Sequence, residues 1–166
     1  IHLIAINSPV NGNFGGRRGA DVLCNKQAKS SGFHATFRAF LASSAQDIGP
    51  IVHREDNSSV VVNAKGEMLF STWKDFMEGA KMSNAPIYTF EGVNIERDPK
   101  WPIKRAWVGS NSRGMRDISA QCEGWRSHSS DDIGLAAGIK SMTNLSYSNR
   151  KISCDTKLVL LCVEVR

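Results

Sequence analysis

The chain has 166 residues, of which 41% are hydrophobic, which suits one domain with room for a sizeable core. Its formal net charge of +5 favours a polyanionic partner such as nucleic acid, acidic lipid or sulphated glycan. No apolar run approaches the roughly 20 residues that a membrane-spanning helix needs, so membrane insertion is not expected.

The chain opens on an apolar run, with neither a signal peptide nor an initiator Met. It therefore reads as a piece of a longer protein whose targeting signal lies elsewhere. Ile1 to Ile6 is expected to form a strand. Asn7 to Gly19 is rich in Gly and Asn and reads as a loop, with Arg17 and Arg18 as an exposed basic pair. Ala20 to Ser30 reads as a helix stopped by Gly32, with Cys24 inside it. From Ala35 to Ala42 the pattern alternates, placing Phe37, Ala39 and Leu41 on one face and Arg38, Phe40 and Ala42 on the other. This predicts a strand with Arg38 at an exposed edge. Val60–Val62 and Met68–Phe70 flank a Lys65–Gly66 turn and predict a hairpin. Ser71 is the expected N-cap of a short helix from Thr72 to Met77, whose apolar face is Trp73, Phe76 and Met77. Ile87–Phe90 reads as a short strand, and Trp101–Gly109 as strand and loop. Ser127 to Lys151 reads as a long polar connection with a few apolar residues, Ile133 to Ile139 and Met142, but no long periodic element.

The last stretch is the most informative. Every residue from Leu158 to Val163 is apolar. In a strand, Leu158, Leu160 and Cys162 face one way, and Val159, Leu161, Val163 and Val165 the other. A strand apolar on both faces belongs in the middle of a covered sheet. Many short strands, two short helices, long loops and no internal repeat together predict an α+β fold of a single domain, residues 1–166.

Four cysteines without CxxC spacing suit structural disulfides in an oxidising compartment. Such a compartment points away from nucleic acid and toward sulphated glycans. Two sequons, Asn57-Ser58-Ser59 and Asn144-Leu145-Ser146, permit glycosylation there. Cys154 and Cys162, eight residues apart on a strand, would lie about 26 Å apart if extended, beyond a disulfide's reach. Two pairings remain: Cys24 with Cys162 and Cys122 with Cys154, or Cys24 with Cys154 and Cys122 with Cys162. Sequence physics does not decide between them.

Seven blocks then carry a resemblance: Leu3–Pro9 (LIAINSP), Arg18–Asp21 (RGAD), Thr36–Leu41 (TFRAFL), Trp101–Lys104 (WPIK), Trp107–Ser110 (WVGS), Cys122–Arg126 (CEGWR) and Val159–Glu164 (VLLCVE). In this order, and with all four cysteines in place, they resemble the endostatin family, the C-terminal non-collagenous domains of type XV and XVIII collagens. The resemblance implies the nested pairing, Cys24–Cys162 and Cys122–Cys154, and a compact fold related to C-type lectins. It also implies a secreted module of basement membrane that binds heparin and heparan sulphate. Its other expected partners are cell-surface receptors such as integrins and basement-membrane components, with effects on migration, adhesion and angiogenesis.

Within that family, heparin binding runs through clustered arginines. Arg18 and Arg126 fall on positions the family uses, Arg38 and Arg54 match basic positions, and Arg17 sits beside Arg18. Guanidinium groups suit sulphate because they bind it bidentately, as they do phosphate. Positions that are arginine elsewhere in the family are Gly15, Ser44 and His53 here. The zinc site of vertebrate relatives uses histidines, one matching His2, and an aspartate whose position here is Gly66, so no metal or other cofactor is expected. His128 with Asp131 or Asp132 is a local pair of candidate ligands and reads as solvated charge. The Glu-Pro-Asn and Trp-Asn-Asp signatures of calcium-dependent lectins are absent. So are Gly-x-Ser-x-Gly, HExxH, P-loop and GxGxxG motifs, and enzymatic activity is not expected. The alternative reading is a lectin-fold module that recognises an uncharged glycan or a protein partner. The four tryptophans, Trp73, Trp101, Trp107 and Trp125, read as core, with Arg126 on the rim beside Trp125.

Overall fold

The computed structural model describes residues 1–139 and 149–166; Met142 and the sequon at Asn144 lie outside the described residues. In chain order the elements are β1 (Leu3–Ala5), α1 (Arg17–Ser30), β2 (Thr36–Ala39), β3 (Val61–Val62), β4 (Met68–Phe70), α2 (Trp73–Met77), β5 (Arg105–Trp107), β6 (Ile133–Gly138), β7 (Arg150–Ser153) and β8 (Leu161–Val165). The strands form three sheets, in the orders β1-β8-β2, β3-β4 and β5-β6-β7. All pairings within them are antiparallel.

The closing apolar run is the hub of this arrangement. β8 lies between β1 and β2, with Ile4 opposite Cys162 on one side and Arg38 opposite Val163 on the other. Just upstream, Leu158 exchanges two 2.8 Å hydrogen bonds with Val10, and Val159 bonds to Arg105 and Trp107 of β5. One short run therefore joins the β1-β8-β2 sheet to the β5-β6-β7 sheet. Its two faces separate as the alternation predicts. Leu158, Leu160 and Cys162 pack in one core cluster with Ala20, Cys24 and Ala28 of α1. Val159, Leu161 and Val163 pack in the other, with Phe40, Trp73, Phe76 and Trp101. Burying a Val or Leu side chain fully is worth about 1.5–3 kcal/mol, so this run is a large contributor to stability.

Helix α1 buries the stripe Ala20, Cys24 and Ala28, spaced four residues apart. These small side chains let the helix approach the sheet closely, and Cys24 reaches Cys162 of β8 in a disulfide. The second disulfide joins Cys122 to Cys154, so the bridges are nested. α1 also covers the open edge of β2. Asp21 Oδ1 accepts from the Ala39 N–H at 2.8 Å, and Asn25 Oδ1 accepts from the Phe37 N–H at 2.8 Å. Two residues four apart on the helix thus satisfy alternate donors of an edge strand.

Several local expectations are corrected. Arg17 and Arg18 lie in the first turn of α1, not in the preceding loop. The N-cap of α2 is Thr72, whose hydroxyl accepts from the Asp75 N–H at 3.0 Å; Ser71 instead donates to the Asp75 carboxylate. Ile87–Phe90 makes isolated bridges, Thr89 with Ala5 and Tyr88 with Asn94, and not a continuous strand. The polar connection after Ser127 contains two strands, β6 and β7. β6 reads Ile-Gly-Leu-Ala-Ala-Gly, and its small residues carry no strand signal. They are small because large neighbours occupy the space. A Cβ on Gly134 would come within 2.8 Å of Cys122 Sγ and 2.9 Å of Trp107 Cζ3.

Candidate functional site

The basic residues singled out by the sequence fall into three places. The first is a concavity of about 340 Å³ lined by Arg17, Arg18, Ser43, Ser44, Gln121, Gly124, Trp125 and Arg126. No carboxylate is among these residues.

Two backbone devices build it. Gly15 and Gly16, at φ 73° and 90°, turn the chain into α1, and this leaves Arg18 exposed on the first turn. A Cβ on Gly16 would lie 2.7 Å from Arg126 Nη2, so glycine there lets the Arg126 guanidinium rest against the backbone. The second device is the segment Cys122–Trp125, one turn of left-handed helix. Its four φ values are 49°, 54°, 66° and 62°, and Trp125 N–H and Arg126 N–H donate to the carbonyls of Gln121 and Cys122. Only one of those four residues is glycine, so the conformation costs free energy and is held by its surroundings. The holding contacts are the Cys122–Cys154 bridge and the buried Trp125 ring, whose Nε1 donates to Ala42 O at 2.8 Å. In addition, the N–H groups of Phe14 and Gly16 both donate to Trp125 O. This clamp delivers Arg126 to the rim with its neighbour Trp125 in the core.

Arg17 differs from Arg18. It is not the exposed cation expected from sequence: its side chain is only 12% exposed, and Nη2 donates to Ala39 O at 3.0 Å. Burial lowers its pKa, and the nearby Asp21 carboxylate only partly offsets that effect. Among the described residues, Arg17 Nε and Nη1 are buried without a hydrogen-bond partner; the 3.7 Å approach of Nε to Asp21 Oδ2 is an ion pair beyond hydrogen-bond reach.

The second place is the α1–β2 junction. Arg38 is half-buried there, donating to Gln46 Oε1 at 2.9 Å and standing 3.6 Å from Asp21 Oδ2. One carboxylate thus serves Arg17 and Arg38 together, and part of Arg38's charge is balanced within the fold. The third place is a separate cleft of about 450 Å³, where Arg54 stands with His53, Asn57 and Lys74. Arg54 is exposed, and it does not line the concavity of Arg18 and Arg126.

Other basic and aromatic residues are held within the fold. Arg116 pairs with Asp47 at 3.1 Å, and Lys104 Nζ donates to the carbonyls of Ile95 and Asp98. All four tryptophans are buried. His2 Nδ1 is 2.9 Å from Glu164 Oε1. Among the described residues, no group of three or more His, Cys, Asp or Glu is placed to hold a metal ion. No sequence signal points to Gln121 and Gly124, which also line the concavity. They join it only because the left-handed turn bends the chain back.

The geometry agrees with what comparison finds. The whole chain, residues 1–166, matches the family model described as Collagenase NC10 and Endostatin. It is 39% identical over 168 residues to the human Collagen alpha-1(XVIII) chain, an alignment that takes in 99% of this chain and 10% of that one. This chain thus spans about a tenth of its relative's length. Antiparallel sheets, few helices and the nested bridges Cys24–Cys162 and Cys122–Cys154 are consistent with a compact lectin-like fold. On sequence, fold and cysteine pairing together, the chain belongs to the endostatin family.

Proposed function

We propose that the chain is an extracellular-matrix module that holds heparan sulphate and heparin, with Arg18 and Arg126 as its principal contacts. The observation that carries this is the concavity itself: two exposed guanidinium groups, distant in sequence, share one lining with no carboxylate among its residues. Guanidinium pairs bind sulphate through charge-assisted, bidentate hydrogen bonds. Arg17 and Arg38 add to the local positive potential from behind, balanced in part by Asp21. Arg54, exposed in a separate cleft, is a second contact point wherever that cleft is left uncovered. An extracellular matrix location follows from the relationship to a collagen chain and agrees with the two disulfides. Membership of the family supports non-enzymatic binding as the role.

The same reading extends to cell-surface receptors such as integrins and to basement-membrane components, and through them to migration, adhesion and angiogenesis. The surface that best fits a protein receptor is a cleft of about 540 Å³ beside α1, walled by Val10, Phe14, Val22 and Leu23 with Lys26 and Lys157 at its rim.

The test is retention on immobilised heparin. The chain is expected to elute above physiological salt, and Arg18→Ala with Arg126→Ala to elute markedly earlier. The slope of log affinity against log salt should fall by about one for each sulphate-binding arginine removed. Elution unchanged in the double variant sinks the proposal.

A further inference from the structure

We propose that Asn57 carries an N-linked oligosaccharide seated in the Arg54 cleft, so that sugar covers this second basic patch and polyanions meet only the Arg18–Arg126 face.

Asn57-Ser58-Ser59 is an acceptor tripeptide. It leaves the short 3-10 turn Arg54–Asp56, with Asn57 N–H donating to Arg54 O at 3.2 Å and Ser59 N–H to Asp56 O at 3.0 Å. The tripeptide is held to the fold by main chain alone: Asn57 O accepts from Lys74 N–H and Ser59 O from Trp73 N–H. Among the described residues, neither the Asn57 side-chain amide nor the Ser59 hydroxyl has a hydrogen-bond partner, and Ser58 is exposed. Modification there removes no interaction that the fold uses. The cysteines supply an independent argument. All four are bridged, which places the chain in the oxidising compartment where such acceptors are glycosylated.

The amide Nδ2 would attack the anomeric carbon of a lipid-pyrophosphate-linked oligosaccharide. A nitrogen–carbon bond forms, the carbon–oxygen bond to the pyrophosphate breaks, the electron pair leaves on the lipid pyrophosphate, and the amide gives up one proton. Nothing is oxidised or reduced. The cleft beside Asn57 has Pro50 and Met77 as apolar walls, His53, Arg54 and Lys74 as donors, and Glu78, 4.0 Å from Lys74 Nζ, as an acceptor. It offers the first sugar ring both an apolar surface and hydroxyl partners. A sugar there stands where a sulphated chain would have to lie to reach Arg54. This second half of the proposal rests on the polyanion reading; the modification itself does not.

The experiment is to secrete the chain from cultured animal cells and map its peptides. The Asn57 peptide is expected to carry an oligosaccharide that peptide-N-glycosidase removes, leaving aspartate marked by heavy-oxygen water. Asn57→Gln and Ser59→Ala should each abolish that signal, and the Asn144 peptide is followed separately. Retention on heparin is then compared before and after sugar removal. Arg54→Ala should lower the eluting salt of the deglycosylated chain and leave that of the glycosylated chain unchanged. An unmodified Asn57 in secreted protein overturns the proposal. An equal effect of Arg54→Ala in both forms overturns the covering role. If neither form is retained on heparin, the polyanion reading and the covering role fail together, and the modification stands on the mass data.

Discussion

The two three-stranded sheets solve the same packing problem in opposite ways. In β1-β8-β2 the central strand brings its own volume: Leu161, Cys162 and Val163 fill the space on either side. In β5-β6-β7 the central strand brings less, and Trp107 of β5 and the sulphur of Cys122 fill the space over Gly134. The first kind of strand announces itself in its own residues. The second is defined by its neighbours: Ile133–Gly138 holds no polar residue, yet its glycines and alanines give no alternation that marks a strand.

The largest expected effects separate the bridges that serve the two sheets. Cys24–Cys162 closes a span of 138 residues and Cys122–Cys154 one of 32. Chain entropy alone makes these worth about 5 and about 3.7 kcal/mol as upper values. Urea unfolding of the two double Cys→Ala variants should rank them in that order. The reverse ranking would mean that the left-handed turn depends on its bridge more than the sheet hub does on the other.

Next come substitutions that act on volume. Leu161→Ala opens a cavity in the self-filled sheet and should cost about 2–5 kcal/mol. Gly134→Val pushes against Trp107 and the Cys122 sulphur in the other sheet and should cost about 1–3 kcal/mol. Valine tolerated at position 134 without loss in thermal melting would mean that the neighbours of β6 leave room for a side chain after all.

Acid should act on the first sheet before the second. Burial alone would raise the pKa of the Glu164 carboxyl on β8. The hydrogen bonds from the His2 ring and the His2 N–H, with the His2 and amino-terminal charges, outweigh burial and hold it below the usual carboxylate range. A carboxyl depressed in the folded state contributes stability above its unfolded value, and that contribution is lost as pH falls through the folded value. Melting temperature followed from neutral to acid pH should therefore drop, and Glu164→Gln should flatten part of that drop.

The smallest effects divide two adjacent arginines. Arg17→Ala removes a buried side chain and its bond to Ala39 O, and should lower stability by about 1–2 kcal/mol. Arg18→Ala should leave the melting temperature unchanged and lower heparin retention. Equal loss of retention from both would place Arg17 in direct contact with the polyanion.

Legibility in the sequence follows the same division. β8 is readable down to which residue faces which cluster, because alternation and burial coincide there. The nested bridges are not readable from spacing; they come with the family resemblance. The start of α1 is hidden because its N-cap is Gly16, without any side-chain cap to mark the boundary. Placed in a loop by that missing mark, Arg17 looks exposed when it is not. The pairing of Arg18 with Arg126 in one concavity depends on the turn at Cys122–Trp125, where Cys, Glu and Trp adopt positive φ without any local cue.

That turn is also the one place among the described residues where handedness itself can be interrogated. For an L-residue the left-handed helical conformation costs about 1–2 kcal/mol, and a mirror-image residue prefers it. Glu123 is exposed and occupies it at φ 54°. A semisynthetic chain with D-glutamate at that single position should melt at a higher temperature than the natural one, whereas the same inversion at Asn25, inside right-handed α1, should destabilise it.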